Sequence, residues 1–415
     1  MTLSERDSAG GIARGSARFW RANIALFLSA FAIFASLYSV QPLLPIFAGE
    51  FGLDAAASSF SLSVTTATLA GALLLASWVA DRLGRKTLMV GALLVTAALG
   101  MILPFVPNWP WLLAVRSGLG LSLSGLPAIA MVYLAEEMES DALGFSMGLY
   151  IGGTALGGMA GRLLVGIVAD WTGWRFALEL LGMTILVIAL LFVWLLPTPQ
   201  NSARTPLSGR EFVFRLRLQF NDPGLPWLFA TSFLLMGAFV TLYNYTGFRL
   251  SGAPYGMSHS AISLIFLVYA WGTVSSTYAG ELSNRFGRRR VLLVTVAVML
   301  GGLLLTLLPW VVAIIGGLAV VSVGFFAAHG IASAWVTRRA PVGRAQASAL
   351  YLFFYYVGSS VLGTLGGYAW VAFGWPGVAG LTGMALVAAL LVALRLSVLP
   401  PLPVAEKPVT PPAGV

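Results

Sequence analysis

Long apolar runs separated by short polar connectors dominate this chain. Each run can form an α-helix of about 20 residues, the length that crosses the hydrocarbon core of a bilayer. Interior glycines and prolines do not argue against this interpretation, because membrane helices tolerate both. The first run exceeds the apolar core of a signal peptide, about 7–15 residues, so we expect it to be a retained span. The pattern predicts twelve spans, at 22–47, 58–80, 87–106, 109–134, 142–169, 174–196, 226–249, 259–281, 290–308, 310–337, 345–372 and 374–399.

The composition supports the same class. The chain is 58% hydrophobic and 9% charged, whereas a soluble domain is about 25% charged. We therefore expect an all-α polytopic membrane protein. The chain has no cysteine, and its two histidines, His259 and His329, lie far apart in sequence. This composition predicts no disulfide, no metal site and no cofactor.

The basic residues concentrate in alternate connectors. The opposite set of connectors holds only Arg175 and Arg249, near the ends of spans. Because lysine and arginine favour the cytoplasmic side, we predict a multi-pass protein of the bacterial cytoplasmic (inner) membrane with both termini in the cytoplasm. The net charge of +9 is divided among short connectors, so a nucleic-acid partner is not expected.

The spans and connectors divide the chain into five parts. We predict a cytoplasmic tail at 1–21, a six-helix bundle at 22–196, a cytoplasmic linker at 197–225, a second six-helix bundle at 226–399 and a disordered tail at 400–415. Within the linker, residues 212–220 predict an amphipathic stretch on the membrane surface. The last residues are rich in proline, which is typical of disorder.

The turn after span 2 recurs in the second half. Asp81-Arg-Leu-Gly-Arg-Lys86 aligns with Asn284-Arg-Phe-Gly-Arg-Arg289, and Leu37-Tyr38 aligns with Leu242-Tyr243. Two six-span halves in the same orientation imply a pseudo-twofold axis along the membrane normal. The substrate site is then expected between the halves, near the middle of the membrane.

These two turns resemble the signature between spans 2 and 3 of the major facilitator superfamily, and the resemblance covers all twelve spans. The whole chain is similar to the drug- and sugar-efflux branch, in particular over 116–125, 145–151 and 324–329. The resemblance implies the major facilitator fold, in which spans 1, 4, 7 and 10 line a central cavity.

The two turns predict a cytoplasmic latch. Asp81 can accept hydrogen bonds from neighbouring arginines or from a helix N-terminus of the other half. A charged latch that forms in only one state biases a rocking equilibrium. Alternatively, these residues only enforce the topology. Asn284 replaces the second acid, so the latch should be stronger in the first half. The latch candidates are Asp81, Arg82, Gly84, Arg85, Lys86, Arg285, Gly287 and Arg288.

Two arginines fall within predicted spans, where a guanidinium needs a partner or water. Arg116 resembles the buried span-4 arginine linked with proton coupling in family antiporters; alternatively, it is structural and bonds backbone carbonyls. Arg162 lies in a glycine-rich run of span 5 that resembles the family's antiporter motif, although Gly158 stands where that motif has proline. The same glycines predict close helix packing.

Two further residues are candidates for the coupling group. Glu179 in span 6 either carries a proton or pairs with Arg175, four residues earlier. His329 in span 10 either titrates near neutral pH or is satisfied by a neighbouring hydroxyl. Four acids at the end of span 4 are expected to be solvated: Glu136, Glu137, Glu139 and Asp141.

Polar and aromatic residues of the cavity-lining spans, with tyrosines of span 11, are the candidates for the substrate cavity. Such a wall suits a moderately polar or aromatic organic solute. No rich charged site is evident, although Arg116 and Arg162 leave an anion open. The candidates are Tyr38, Gln41, Tyr243, Asn244, Phe325, Tyr351 and Tyr355, together with His329.

The leading hypothesis is therefore a secondary active transporter that moves a small organic solute by alternating access, as a proton-coupled exporter of a drug, sugar or metabolite. A proton-coupled importer or a uniporter is the alternative. The chain lacks a G-x-x-x-x-G-K-[ST] loop for ATP and a clustered nucleophile with its base, so an enzyme is not expected. The expected partners are the solute, a proton and membrane lipid. We expect a monomer, because one chain contains both halves.

Overall fold

The structure is a computed structural model that describes residues 11–201 and 208–399. The predicted tail at 400–415, the first ten residues and the centre of the linker lie outside the described residues. The described chain is helical. Its helices are α1 (Ala17–Tyr38), α2 (Leu44–Phe51), α3 (Ala55–Leu83), α4 (Arg85–Ile102), α5 (Trp109–Leu123), α6 (Pro127–Glu137), α7 (Ser140–Thr172), α8 (Trp174–Leu195), α9 (Gly209–Leu218), α10 (Leu225–Ser251), α11 (His259–Leu264), α12 (Tyr269–Phe286), α13 (Arg288–Leu305), α14 (Val311–Arg339) and α15 (Arg344–Ser397).

Ten helical segments of the described chain are long and apolar enough to cross a membrane. The difference from twelve has two physical causes. Helix α15 contains two spans, because Gly374 leaves the helical conformation at φ 60° and ψ −147°. Helix α13 begins with three consecutive arginines, so composition alone does not mark it as a span. With these two included, the predicted all-α architecture of two six-helix bundles is confirmed.

Three spans are broken near their middle or far ends. Span 1 consists of α1 and α2, joined by a 3₁₀ turn at Gln41–Leu43. Span 4 is divided between α5 and α6, where Pro127 begins the second helix. Span 8 consists of α11 and α12, joined by a 3₁₀ turn at Ile265–Val268. Each break frees backbone carbonyls that need a donor from elsewhere, because they have no partner within the helix.

The repeat seen in sequence extends to the backbone. Gly84 ends α3 and begins α4 with φ 88° and ψ 139°, and Gly287 joins α12 to α13 with φ 84° and ψ 138°. Glycine adopts positive φ at little cost, whereas a residue with a Cβ does not. The aligned glycines therefore make the same sharp turn in both halves.

Glycines also bring helices together within each half. A Cβ on Gly157 of α7 would lie 2.2 Å from the carbonyl oxygen of Phe31 in α1. A Cβ on Gly358 of α15 would lie 2.1 Å from the carbonyl oxygen of Phe233 in α10. The predicted close packing of spans 5 and 11 is thus confirmed, and it fixes span 1 against span 5 and span 7 against span 11.

Because successive spans alternate in direction, their connectors form two sets. We call one end of the molecule the motif end; it carries the turns at Gly84 and Gly287 and the linker. We call the other the far end; it carries the turns at Gly52 and Gly173 and the loop 252–258. The assignment of the motif end to the cytoplasm stays a prediction from the distribution of basic residues.

Candidate transport site between the two halves

The two halves meet in the far portion of their spans. Thr364 donates to the Ser63 hydroxyl at 2.9 Å, and Ser360 donates to the Ser63 carbonyl oxygen at 2.8 Å. Nearer the far loops, the Ser260 amide donates to Asp170 at 3.1 Å. Over residues 11–201 and 208–399, no hydrogen bond joins the halves at the motif end. The far end is therefore closed and the motif end is unlatched.

Arg116 is fully buried and bonds three backbone carbonyls. Its Nε donates to Ser61 at 2.8 Å, and its two Nη atoms donate to Ser36 at 3.1 Å and Leu37 at 2.8 Å. Ser36 and Leu37 belong to the last turn of α1, where the helix leaves carbonyls without an internal partner. Arg116 thus holds the break of span 1 against α3, which is the structural alternative raised from the sequence.

Arg162 lies at the junction of the halves and is only 2% exposed. Its Nε donates to Oε1 of Gln41 at 2.6 Å, and its Nη1 donates to the Gly158 carbonyl at 2.5 Å. Gln41 in turn donates to Oδ1 of Asn244 at 2.7 Å. This chain of side chains connects α7 and the break of span 1 with α10 of the second half. The structure thereby brings together three of the residues predicted for the site.

Aromatic rings from both halves surround the Arg162 guanidinium. Its central carbon lies 4.1 Å from the ring centre of Tyr38, 5.0 Å from that of Tyr269 and 5.1 Å from that of Phe266. These distances permit cation–π attraction. Phe266 and Tyr269 were not among the predicted residues, because the resemblance directs attention to spans 1, 4, 7 and 10. They come from span 8, whose 3₁₀ break no sequence signal marks.

Two of the residues predicted for the cavity form their contacts within the second half. Tyr243 is hydrogen-bonded to the Ser322 hydroxyl at 2.7 Å. Phe325 stacks on Phe239 with ring centres 3.9 Å apart. Both Tyr243 and Phe325 are buried. They build the wall behind the junction, whereas Gln41 and Asn244 reach across it.

His329 is half-buried beside two tyrosines of span 11. Its Nδ1 lies 3.0 Å from the Tyr351 hydroxyl, and its ring centre lies 4.9 Å from that of Tyr355. The imidazole also stacks on Phe325, with ring centres 5.9 Å apart. A neighbouring hydroxyl is therefore present, as one of the two predicted alternatives requires. No charged residue of the described chain forms an ion pair with His329.

The predicted pair between Arg175 and Glu179 is wrong. Arg175 forms an ion pair with Glu50 at 2.5 Å, and Trp174 donates to the same carboxylate. The turn at Gly173 brings the start of α8 to the end of α2, where Glu50 is closer than Glu179 on the same helix. Glu179 is half-buried and forms no ion pair within the described part of the chain.

The charged turn at the motif end makes its contacts within the first half. Arg85 forms an ion pair with Glu136, Lys86 donates to the Leu196 carbonyl at 2.6 Å, and the Arg82 guanidinium lies 3.5 Å from the Trp78 ring centre. Asp81 is half-buried and has no ion pair or hydrogen bond within the described ranges. Burial raises the pKa of Asp81 above its ordinary value, against the opposing charges of Arg85 and Arg82.

The acids at the end of span 4 are not uniformly solvated, contrary to the prediction. Glu137 is 1% exposed and accepts hydrogen bonds from the backbone amides of Gln200 at 2.9 Å and Asn201 at 2.8 Å. Glu136 is held by Arg85. Because α6 ends against the start of the linker, these two carboxylates tie the linker and the charged turn to the first bundle.

The second turn is also held inside its own half. Arg289 donates to the carbonyls of Ser397 at 2.8 Å and Leu399 at 2.5 Å. Arg285 lies 5.2 Å from the ring centre of Phe286. Arg288 lines a recess of about 830 Å³ that opens beside Arg339. Within residues 11–201 and 208–399, the latch candidates of both halves thus form no bond between the halves at the motif end.

Two six-helix bundles joined around a buried polar cluster are the architecture of a polytopic membrane transporter. The chain matches the Major Facilitator Superfamily over residues 26–253 and again over 248–414. It therefore belongs to the Major Facilitator Superfamily and is a transporter of a small solute, not an enzyme.

Similar proteins agree with this membership. The chain is 46% identical over 385 residues to the inner membrane transport protein YnfM of Escherichia coli strain K12, covering 93% of this chain and 92% of the relative. It is 38% identical over 379 residues to an uncharacterized MFS-type transporter, YybF, of Bacillus subtilis strain 168, covering 91% and 94%. Among solved structures, a point mutant of the nucleoside transporter NupG superimposes with a TM-score of 0.74 at 14% identity, covering 91% and 99%. At that identity the likeness shows the fold alone.

Proposed function

We propose that this transporter exports a small organic solute through the cytoplasmic membrane by alternating access, in exchange for protons. The observation that carries the proposal is the one-sided contact between the halves. The far portions are joined through Ser63, Thr364 and Ser360, whereas the motif end has no such bond in the described chain. This arrangement is one of the two end states that a rocking transporter needs.

The basic motif end is assigned to the cytoplasm, so the state described opens inward. The name of one relative supports the location in this membrane. The Escherichia coli relative is named an inner membrane transport protein.

His329 is the proton carrier in this proposal. It is the histidine that lies inside a span, and Tyr351 and Tyr355 hold its ring between the second half's core and the junction. An unperturbed imidazole gains and loses a proton near neutral pH. The carboxylates of the described spans lie elsewhere. Glu179 is on α8, and Glu50 and Asp170 bind Arg175 and Ser260 at the far end. The others lie toward the motif end: Asp81, Glu136, Glu137, Asp141 and Glu281.

The export direction rests on a relative's name and on the resemblance stated above. A Lactococcus lactis protein named a multi-drug resistance efflux pump PmrA homolog is 25% identical over 292 residues, which is 66% of this chain and 69% of the relative. The alternatives are import of the solute together with a proton and transport without a proton. The following experiment distinguishes both of them from export.

Inverted membrane vesicles with an acid lumen and a pH-sensitive dye test the proposal. Export from the cytoplasmic face then moves solute into the lumen and protons out, so a transported compound should make the lumen more alkaline. His329→Gln should abolish this proton movement, because glutamine does not titrate. His259→Gln is the matched control, since His259 begins α11 at the far end.

Three outcomes separate the alternatives. Alkalinisation that His329→Gln removes and His259→Gln retains supports proton-coupled export. Solute uptake with no proton movement in the unmodified protein would contradict coupling and favour a uniporter. Acidification of a neutral lumen during solute uptake would contradict export and favour import with a proton.

A further inference from the structure

Arg162 is a buried cation without an anion. Among the ion pairs of residues 11–201 and 208–399, none includes Arg162. Its two protein acceptors, the amide oxygen of Gln41 and the carbonyl of Gly158, are neutral. A guanidinium carries five N–H donors, so most of its donor capacity is unused. Burial of such a charge is costly unless an anion or water accompanies it.

Arg116 shows what a satisfied arginine looks like in the same bundle. Three carbonyls of Ser36, Leu37 and Ser61 accept from its three nitrogens. Those carbonyls come from a helix end and the adjacent helix, and no ring lies over the guanidinium in the described contacts. Arg116 thus uses all three of its nitrogens to bind backbone carbonyls, whereas Arg162 contacts rings and amides at the junction between the halves.

Two further polar groups at the same junction are buried without a partner. They are Nδ2 of Asn244 and the hydroxyl of Tyr269, counted over the described residues. Asn244 is connected to Arg162 through Gln41, and the Tyr269 ring lies 5.0 Å from the guanidinium carbon. A buried donor without an acceptor costs free energy. Arg162, Asn244 and Tyr269 together offer donors, and the group that would satisfy all of them is an acceptor with negative charge.

We propose that the transported solute is an organic monoanion, an aromatic or alicyclic carboxylate, and that Arg162 binds its carboxylate. The proposal rests on the transport function proposed above and names its substrate class. The rings of Tyr38, Phe266 and Tyr269 surround the guanidinium, so a carboxylate bound there would carry its apolar body among aromatic side chains. A single uncommitted arginine matches one carboxylate, because Arg116 is already committed to three carbonyls.

The charge also bears on the direction of transport. Moving a monoanion out of a cell with a negative interior is favoured by the membrane potential, and so is the inward movement of a proton. Each exchange of one anion for one proton therefore moves two charges in the direction that the membrane potential favours. The same potential opposes accumulation of a monoanion inside the cell, so an anionic substrate favours export over uniport import.

Equilibrium binding to the purified full-length protein tests the substrate class. The probes are radiolabelled benzoate, phenylacetate and cyclohexanecarboxylate, with benzamide as the neutral competitor of the same shape. We expect at least one carboxylate to bind and benzamide not to displace it. Arg162→Gln should weaken the affinity roughly 100-fold or more, the range for loss of one partner in a buried charge pair. Arg162→Lys should lose less, because it keeps the charge without the two-pronged geometry.

Arg175→Gln is the matched control. Arg175 also lies over a ring, 4.3 Å from the centre of Trp174, but pairs with Glu50 at the surface. It should leave the affinity unchanged. Binding within threefold of the unmodified protein in Arg162→Gln, equal competition by benzamide, or no binding of any of the three carboxylates would each overturn the proposal. Thermal unfolding of each variant shows whether Arg162→Gln is folded, and Arg162→Lys carries the test if it is not.

Counterflow in proteoliposomes distinguishes failure of this inference from failure of the transport proposal. Binding of benzoate without exchange would leave the anion site standing and contradict transport. Exchange of a neutral solute that Arg162→Gln leaves intact would support transport and contradict the anion site.

Discussion

Replacement of Arg116 by methionine should destabilise the fold and leave proton coupling intact in the molecules that remain folded. Methionine has a similar length and no donors, so Arg116→Met leaves the Leu37 carbonyl without its side-chain donor. The carbonyls of Ser36 and Ser61 lose Arg116 but keep the hydroxyls of Ser39 and Thr65 as donors. Each buried acceptor left without a donor costs about 1–3 kcal/mol. The Leu37 carbonyl meets this cost in full, and the Ser36 and Ser61 carbonyls each lose one of two side-chain donors, so the total is roughly 2–5 kcal/mol before any compensation.

Removal of the charge offsets part of this loss. Keeping an ionised group buried costs several kcal/mol, and Arg116 is fully buried. The net loss of stability should therefore be about 1–3 kcal/mol, similar to leaving one buried acceptor without its donor. The break of span 1 should loosen first, because α1 loses the cap of its last turn.

Thermal unfolding in detergent, followed by the loss of monodisperse protein on size exclusion, measures this effect. Arg162→Met is the comparison, since Arg162 holds one backbone carbonyl, that of Gly158. We expect the midpoint to fall further in Arg116→Met than in Arg162→Met. Proton movement in inverted vesicles should persist per folded molecule of Arg116→Met. An unchanged midpoint with abolished proton movement would refute the structural role and assign Arg116 to coupling.

The charged turn and the linker give three further predictions. Asp81→Asn should cripple turnover while leaving membrane insertion intact, and normal transport by this variant would argue against the latch. Burial raises the pKa of Asp81, so its carboxylate becomes protonated as the pH falls through that raised value. Turnover of the unmodified protein should therefore decline over this pH range. The same decline should be absent from Asp81→Asn, because asparagine does not titrate. Gly84→Ala forces a Cβ onto φ 88° and ψ 139°, which costs roughly 1–3 kcal/mol, and should lower the unfolding midpoint. Glu137→Ala removes the acceptor for Gln200 and Asn201 and should increase proteolysis of the linker without lowering solute binding.

The spans and the motif turns are predictable from sequence for a local reason. An apolar run long enough to cross a bilayer as a helix has few other structures open to it. A turn such as that at Gly84 depends on the backbone freedom of one residue. The duplication then predicts the same turn at Gly287, and the structure shows nearly identical angles there. The break at Gly374 likewise falls at the predicted boundary between the spans 345–372 and 374–399.

The contacts of the site could not be predicted in the same way, because they join residues far apart in the chain. Glu179 lies four residues from Arg175, which is a favourable spacing on a helix, yet Arg175 forms its ion pair with Glu50 of α2. Glu137 looks solvated in an acidic cluster, yet the linker covers it. Each outcome depends on which helix packs against which, and that information is absent from local spacing.

The residues at the junction were predicted in part. Tyr38, Gln41, Asn244 and Arg162 were proposed separately, as cavity and coupling candidates, and the structure connects them. Tyr269 was missed, because its position depends on the 3₁₀ break of span 8. A family resemblance indicates which spans line a cavity in general, but an irregular turn decides which side chain enters it.

Cross-linking the two halves at the far end tests alternating access most directly. The chain has no cysteine, so introduced pairs are the sole thiols. The pair Ser63→Cys with Thr364→Cys replaces two hydroxyls 2.9 Å apart on different halves. The pair Thr96→Cys with Ser122→Cys replaces two hydroxyls also 2.9 Å apart, both within the first half.

A short bifunctional thiol reagent should join both pairs with similar yield. If the halves must separate at the far end in every cycle, the first cross-link stops solute transport, reduction restores it, and the second cross-link leaves it unchanged. Undiminished transport by fully cross-linked Ser63→Cys/Thr364→Cys protein would contradict alternating access between these halves.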